Sequence, residues 1–373
     1  PETSVAGFIQ LPGSGRQVYN FNPGWRFFRG DVQGAEAVNF DDRSWNVVST
    51  PHTVELMLVE GSGCRNYQGP AWFRKHFVLP AETKGQRVVL HFEAAMGKQI
   101  LYLNGKRIQE HLGGYLPFTL DLTANGVQAG DSCLLAVFTD NSDDKSYPPG
   151  KRQYTLDFAY HGGIYRDVWM IAKSPVAITD AIDSQIVGGG GVFVHFDKIS
   201  EKSAQVYVNT EVQNDDARSE SVTVETTLTD ADGKVIKRSS GKLSLKPGEK
   251  KSIRQQMEVK NPTLWSPDTP YLYRVQSRIK KGNKSIDGGV TRVGIRLAEF
   301  RGKDGFWLNG KPFGQLVGAN RHQDFAYVGN ALPNSQQWRD AKRLRDAGCT
   351  IIRVAHYPQD PAFMDACDEL GMF

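Results

Sequence analysis

Apolar and polar positions alternate along most of the chain before about residue 300. Val206, Val208, Thr210 and Val212 stand at every second place, as do Val222, Val224, Thr226 and Leu228. Ile253, Gln255, Met257 and Val259 keep the period with one polar intruder. A period of two with one apolar face predicts half-buried antiparallel strands. Asp232-Gly233 and Pro247-Gly248 fall between these runs as turns. Over 174–298 the length and strand spacing suit a seven-strand immunoglobulin-like sandwich lacking an inter-sheet disulfide.

Residues 1–173 read as shorter strands broken by turn signals, for example 88–92, 100–103 and 134–138. Asn104-Gly105 predicts a tight hairpin, because both residues tolerate positive φ. Helical periodicity is nearly absent here, and Trp25, Trp45, Trp72 and Trp169 supply large apolar area. An antiparallel sandwich of jelly-roll type is the natural solution.

Over 299–373 the texture changes. Residues 315–319 read as a buried strand and 335–347 as a helix carrying Trp338, Ala341, Leu344 and Ala347. Asn334 is placed to cap that helix and Gly348 to end it. A β-branched strand follows at 350–355. Asp360-Pro361 then opens a helix over 363–370 that Gly371 stops. Strand, helix, strand, helix predicts parallel βα units. A (β/α)8 barrel takes about 250 residues, so this region supplies about two of its eight units and reads as cut short within a domain. The fold class expected is mostly β, followed by the start of a TIM barrel.

Composition narrows the function classes. Of 373 residues, 39% are hydrophobic and 10% aromatic, so a packed core is within reach. Lys+Arg 45 against Asp+Glu 41 leaves +4 with both signs interspersed, and no basic block asks for nucleic acid. Mean hydropathy is −0.44 and no run of 18 apolar residues exists, so no membrane span is expected. Cys64, Cys133, Cys349 and Cys367 show no CxxC spacing and read as free thiols. The chain starts at Pro1 without an apolar leader, and a periplasmic or secreted setting is the expectation.

Candidate chemistry gathers in the last region. Asn320-Arg321-His322-Gln323-Asp324 follows the first predicted parallel strand, and Arg353-Val354-Ala355-His356-Tyr357-Pro358 spans the end of the second. In a parallel barrel both clusters fall on the C-terminal face, where active sites form. Two histidines and two arginines there make a donor-rich floor for hydroxyls or carboxylates. The alternative for Arg321 and Arg353 is simple pairing with barrel carboxylates. Asp140-Asn141-Ser142-Asp143-Asp144 lacks the glycine and distal glutamate of a calcium loop and reads as a solvated turn. His52, His76, His91, His111 and His161 have no metal spacing, and no metal ligand set is expected in the chain.

These segments together resemble glycoside hydrolase family 2, with its jelly-roll sugar-binding domain, immunoglobulin-like domain and TIM barrel. Gly318-Ala319-Asn320-Arg321-His322-Gln323 is similar to the family's G-x-N-R-H-[EQ] motif. Residues 353–358 are similar to the end of its N-x-x-R-x-S-H-Y-P motif, with Thr350 and Ala355 as departures. Gly162-Gly163-Ile164-Tyr165-Arg166-Asp167-Val168 resembles G-G-I-x-R-D-V, and residues 265–273 resemble W-S-P-x-x-P-x-L-Y.

The resemblance implies retaining hydrolysis of β-glycosides, β-galactosides first and β-glucuronides as runner-up. It places both catalytic glutamates on later barrel strands, so no catalytic residue is expected in this chain and the chain alone is expected to be inactive. It makes His322 and His356 ligands of sugar hydroxyls, and gives Arg353, with Arg321, the support of an ionised nucleophile. Asp157, six residues before Gly163, falls where some β-galactosidases reach the galactose 6-hydroxyl and a sodium ion. A loop aspartate capping backbone N–H groups is the alternative. Asn66, in the glycine-rich stretch 61–69, either approaches the sugar or is plain loop. Arg166-Asp167 reads as a salt link to the barrel. The implied partner is a β-galactoside oligosaccharide or glycan, with room for a homo-oligomer. No cofactor is required, and a sodium or magnesium ion is allowed in the complete enzyme. A non-catalytic carbohydrate-binding protein is the rival from another class.

Overall fold

The structure, a computed structural model, describes residues 10–57 and 66–373. Residues 58–65, Cys64 among them, lie outside the described residues. The first domain packs two antiparallel sheets face to face. One is ordered Gln17–Asn20, Val168–Lys173, Arg87–Phe92, Phe118–Asp121. The other is ordered Asn46–Val48, Trp25–Arg29, Pro70–Val78, Ser132–Asp140, Lys98–Leu103, Lys106–Leu112. Trp25, Phe73, Leu90, Leu101, Leu135 and Val168 fill the space between them. The hairpin at Asn104-Gly105 has φ of 51° and 81°, the left-handed pair that matches strand twist. Trp45 and Trp72 form a second cluster with Ala35 and Ala136 outside that core.

The second domain is a sandwich of two four-stranded sheets. Val176–Ile178 and Val192–Asp197 share one edge of Ser203–Asn214, whose other edge holds Lys250–Lys260. Opposite lies the order Val235–Leu245, Glu220–Thr229, Tyr273–Lys281, Lys284–Val293. The polar intruder Gln255 is buried yet satisfied, accepting from Thr226 Oγ1 at 2.6 Å and donating to Val224 O at 3.2 Å.

The last region holds two parallel strands, Gly318–Arg321 and Ile351–Val354, backed by the helices Asn334–Asp346 and Pro361–Leu370. The first strand is not the buried segment expected over 315–319. It begins at Gly318, where a Cβ would sit 1.8 Å from Ile351 O, so only glycine lets the strands meet there. Its open face is solvent-exposed through Asn320. Asp360 caps its helix by accepting from Ala362 N at 2.8 Å, with Pro361 in the first turn and Gly371 left-handed at φ 79°. Asn334 does not cap; its amide donates instead to Asp167 Oδ2 at 2.9 Å, tying the helix start to the first domain.

Both sandwiches grip this region. Trp265, fully buried, donates from Nε1 to Asp368 O at 2.8 Å and meets the Phe373 ring edge-on. Arg292 pairs with Glu369 and with Asp365. The first and second domains are joined by the buried pair Arg16–Asp287 at 2.7 Å and by His91–Asp180 at 3.1 Å.

Candidate functional site

Side chains on the two parallel strands sort by parity, as a pleated backbone demands. Ile352 and Val354 pack on the helices with Ala341, Phe363 and Ala366. Arg321, in register with Val354, turns the same way. Its guanidinium donates to Gln359 Oε1 at 2.7 Å, Gln337 Oε1 at 2.8 Å and Asp340 Oδ2 at 2.8 Å, and lies 4.0 Å over the Phe363 ring. The expected role of Arg321 beside a nucleophile is therefore corrected: it clamps strand to helix, on the face away from the cleft. Arg353 and its register partner Asn320 take the opposite face and line an open cleft of about 440 Å³.

His322 follows Arg321 just beyond the end of that strand. The rings of His322 and His356 meet at 5.4 Å between centroids, 80° apart in plane. His356 follows a cis Ala355–His356 peptide, and its Nε2 lies 3.6 Å from Asp157 Oδ2. Asp157 belongs to the first domain, so the group spans a domain border. One donor atom from each of Asp157, His322 and His356 lies within 4.8 Å of the other two.

Two residues that the sequence did not single out fix this group. Phe158 packs against His322 at 5.5 Å, His356 at 6.0 Å and Tyr357 at 5.2 Å between ring centroids. Tyr357, stacked on Tyr115 at 4.4 Å, places its hydroxyl 3.3 Å from His322 Nδ1. That hydroxyl also accepts from Gln323 N at 3.3 Å. That hydroxyl keeps one O–H and one lone pair for Nδ1, so it partners either tautomer of the ring. Burial lowers the His322 pKa and favours the neutral ring, with Asp324 and Asp157 acting against it. Burial raises the Tyr357 hydroxyl, which stays protonated. Adjacency to Asp157 and to His356 was the available signal for both residues.

The first domain is pinned to the barrel strands through Arg166, which is almost fully buried. Its guanidinium donates to Gln323 Oε1 at 2.9 Å, Pro358 O at 2.8 Å and Tyr115 O at 3.2 Å. Its Nε stands 3.9 Å from Asp360 Oδ2. Burial holds the Glu93, Asp167 and Asp360 carboxyls above their ordinary range, and repulsion from Asp360 adds to the first two. Gly163 lets the strap carrying Asp157 pass under His52: its φ is 116°, and a Cβ would come within 2.5 Å of His52 O.

Asn66 is half-buried, with its Nδ2 3.3 Å from Tyr67 O, and no described contact joins it to the imidazole pair. Asp140 and Asp144 accept from Ser142 N and Ser146 N, as turn aspartates do. Among the described residues Cys133, Cys349 and Cys367 are free thiols.

Comparison with known proteins now decides the family. Sequence models of glycosyl hydrolases family 2 match in three consecutive pieces: its sugar binding domain at 27–175, the family 2 domain at 190–296 and its TIM barrel domain at 300–373. The chain belongs to glycosyl hydrolases family 2. It is 34% identical over 359 residues to a β-galactosidase of Thermoanaerobacter pseudethanolicus, spanning 96% of this chain and 46% of that protein. It is 32% identical to a β-glucuronidase of Formosa agariphila, over 97% of this chain and 38% of that one. The solved structure of a Bacteroides uniformis β-glucuronidase superposes with a TM-score of 0.86 at 32% identity, covering 96% of this chain and 41% of the other. This family 2 chain thus spans less than half the length of these relatives.

Proposed function

We propose that this chain is the sugar-holding N-terminal part of a retaining β-glycosidase that releases terminal β-galactose. The observation that carries the reading is the meeting of Asp157 with His322 and His356 across a domain border. A neutral imidazole donates its N–H to a sugar hydroxyl, and a carboxylate beside it accepts from another. Such donors act more strongly as charge develops at the ring during glycosidic cleavage.

Retaining hydrolysis also needs two carboxyl groups about 5–5.5 Å apart. In family 2 these come from later barrel strands, so the chain is expected to show no turnover alone. Arg353, on the cleft face, is then available to keep a nucleophilic carboxylate ionised.

Glucuronide is the second reading, favoured by the relatives of that name. Asp157 argues for galactoside, because its carboxylate accepts from a 6-hydroxyl and repels a 6-carboxylate. Turnover of 4-nitrophenyl β-galactoside against the β-glucuronide, in the enzyme with a complete barrel, separates the two. Preference for the glucuronide overturns the role given to Asp157. Turnover by a chain verified to end at Phe373 overturns the placement of the catalytic carboxyls.

A further inference from the structure

We propose that Asp157, His322 and His356 form a site for a divalent transition-metal ion of the zinc type, whose binding excludes the sugar. The exclusion of sugar rests on the proposed function; the metal site rests on geometry alone.

The donor set is two imidazoles and one carboxylate, with the remaining positions open to solvent. Zinc accepts such a trio with water in the fourth place. Bonds of about 2.0–2.1 Å put tetrahedral donors about 3.3 Å apart. His356 Nε2 and Asp157 Oδ2 already stand at 3.6 Å, and no donor of the three is more than 4.8 Å from another. Asp157 and His356 are exposed, so solvent reaches the remaining coordination positions.

The surroundings suit a metal as well as a sugar. Phe158 holds both imidazoles from the first domain. Tyr357 gives His322 the outer partner that orients a metal-bound histidine. Coordination through Nε2 leaves the His322 proton on Nδ1, where the Tyr357 oxygen accepts it. Asp324 adds negative field at His322 beside that of Asp157. Sodium, magnesium and calcium prefer oxygen ligands, and a single carboxylate is a poor cage for them.

The test is titration of the tag-free chain with Zn2+ by calorimetry, and with Co2+ followed by its visible absorption. The expected result is about one ion per chain, displaced by Zn2+ and unaffected by Mg2+. Asp157→Ala, Asp157→Asn, His322→Ala and His356→Ala should each weaken binding about tenfold or more. His195→Ala, on the strand Val192–Asp197 of the second domain, should change nothing. The Asn variant keeps the shape of Asp157, so a loss there is not a folding defect. Absence of stoichiometric binding, or equal binding by the triad variants, overturns the metal site. Methyl β-galactoside should raise the apparent Kd for Zn2+. Zinc held by the triad yet indifferent to sugar keeps the metal site and overturns the exclusion. A chain that binds the sugar through these histidines but takes no zinc overturns the metal site alone.

Discussion

Replacing Arg166 by methionine removes a buried cation that acts on both Glu93 and Asp360 while keeping most of the side-chain volume. Three hydrogen bonds of 2.8–3.2 Å are lost, leaving Gln323 Oε1, Pro358 O and Tyr115 O without this donor. Asp360, fully buried, loses the nearest opposite charge. Removing one partner of a buried charged network costs about 3–5 kcal/mol, much of it from the groups left behind. The loss falls on the joint between the first domain and the barrel strands. Hydrogen exchange should therefore quicken over Gly318–Arg321 and Ile351–Val354 far more than over Arg87–Phe92. The pH dependence has a definite sign. Carboxyls with raised folded pKa values contribute stability at low pH that is lost as pH rises through those values. Without Arg166 those of Glu93 and Asp360 rise further, so the deficit against wild type should be larger at pH 8 than at pH 5. A deficit below about 1 kcal/mol, or one that grows on acidification, would refute the assignment of Arg166 as the docking cation.

Gly163→Ala forces a left-handed alanine against His52 O, 2.5 Å from the new Cβ, and should cost at least about 1–2 kcal/mol in thermal melting; a neutral substitution contradicts the close approach. Trp265→Ala should destabilise by about 3–5 kcal/mol and speed exchange in Pro361–Leu370, because the indole fills the joint and bonds Asp368 O. His52 is held down to about pH 4 by burial, so its contribution is present above its unfolded value and is lost as pH falls from about 6.5 towards 4. His52→Leu should flatten that limb of the stability curve, and an unchanged slope would show that another group titrates there.

Much of this architecture was legible because its signals are local. Alternation at 206–212 and 222–228 reports one buried face, and Asn104-Gly105 reports a left-handed turn whatever surrounds it. Asp360-Pro361 and Gly371 likewise bracket a helix through their own backbones. Asn334 misled because the helix already includes it, with Pro333 at the cap position, and its amide donates to Asp167, 167 residues away. The strand at 315–319 misled because apolar residues there face an open cleft, while pairing depends on where Gly318 permits contact. Within the motif at 320–323, residue types alone could not divide the work. Arg321 turns to the helices, His322 just beyond the strand meets His356, and it is the first domain that engages Gln323. Phe158 and Tyr357 act by ring contacts made only after the domains meet.

The most direct measurement is the carbon-bound imidazole proton resonances of the chain, assigned through His322→Ala and His356→Ala and titrated with methyl β-galactoside. The account predicts that these two resonances move together and saturably. Asp157→Asn should weaken the response, while His76 and His195 stay fixed. Shifts confined to other histidines, or a sugar bound with both His322 and His356 silent, would contradict it.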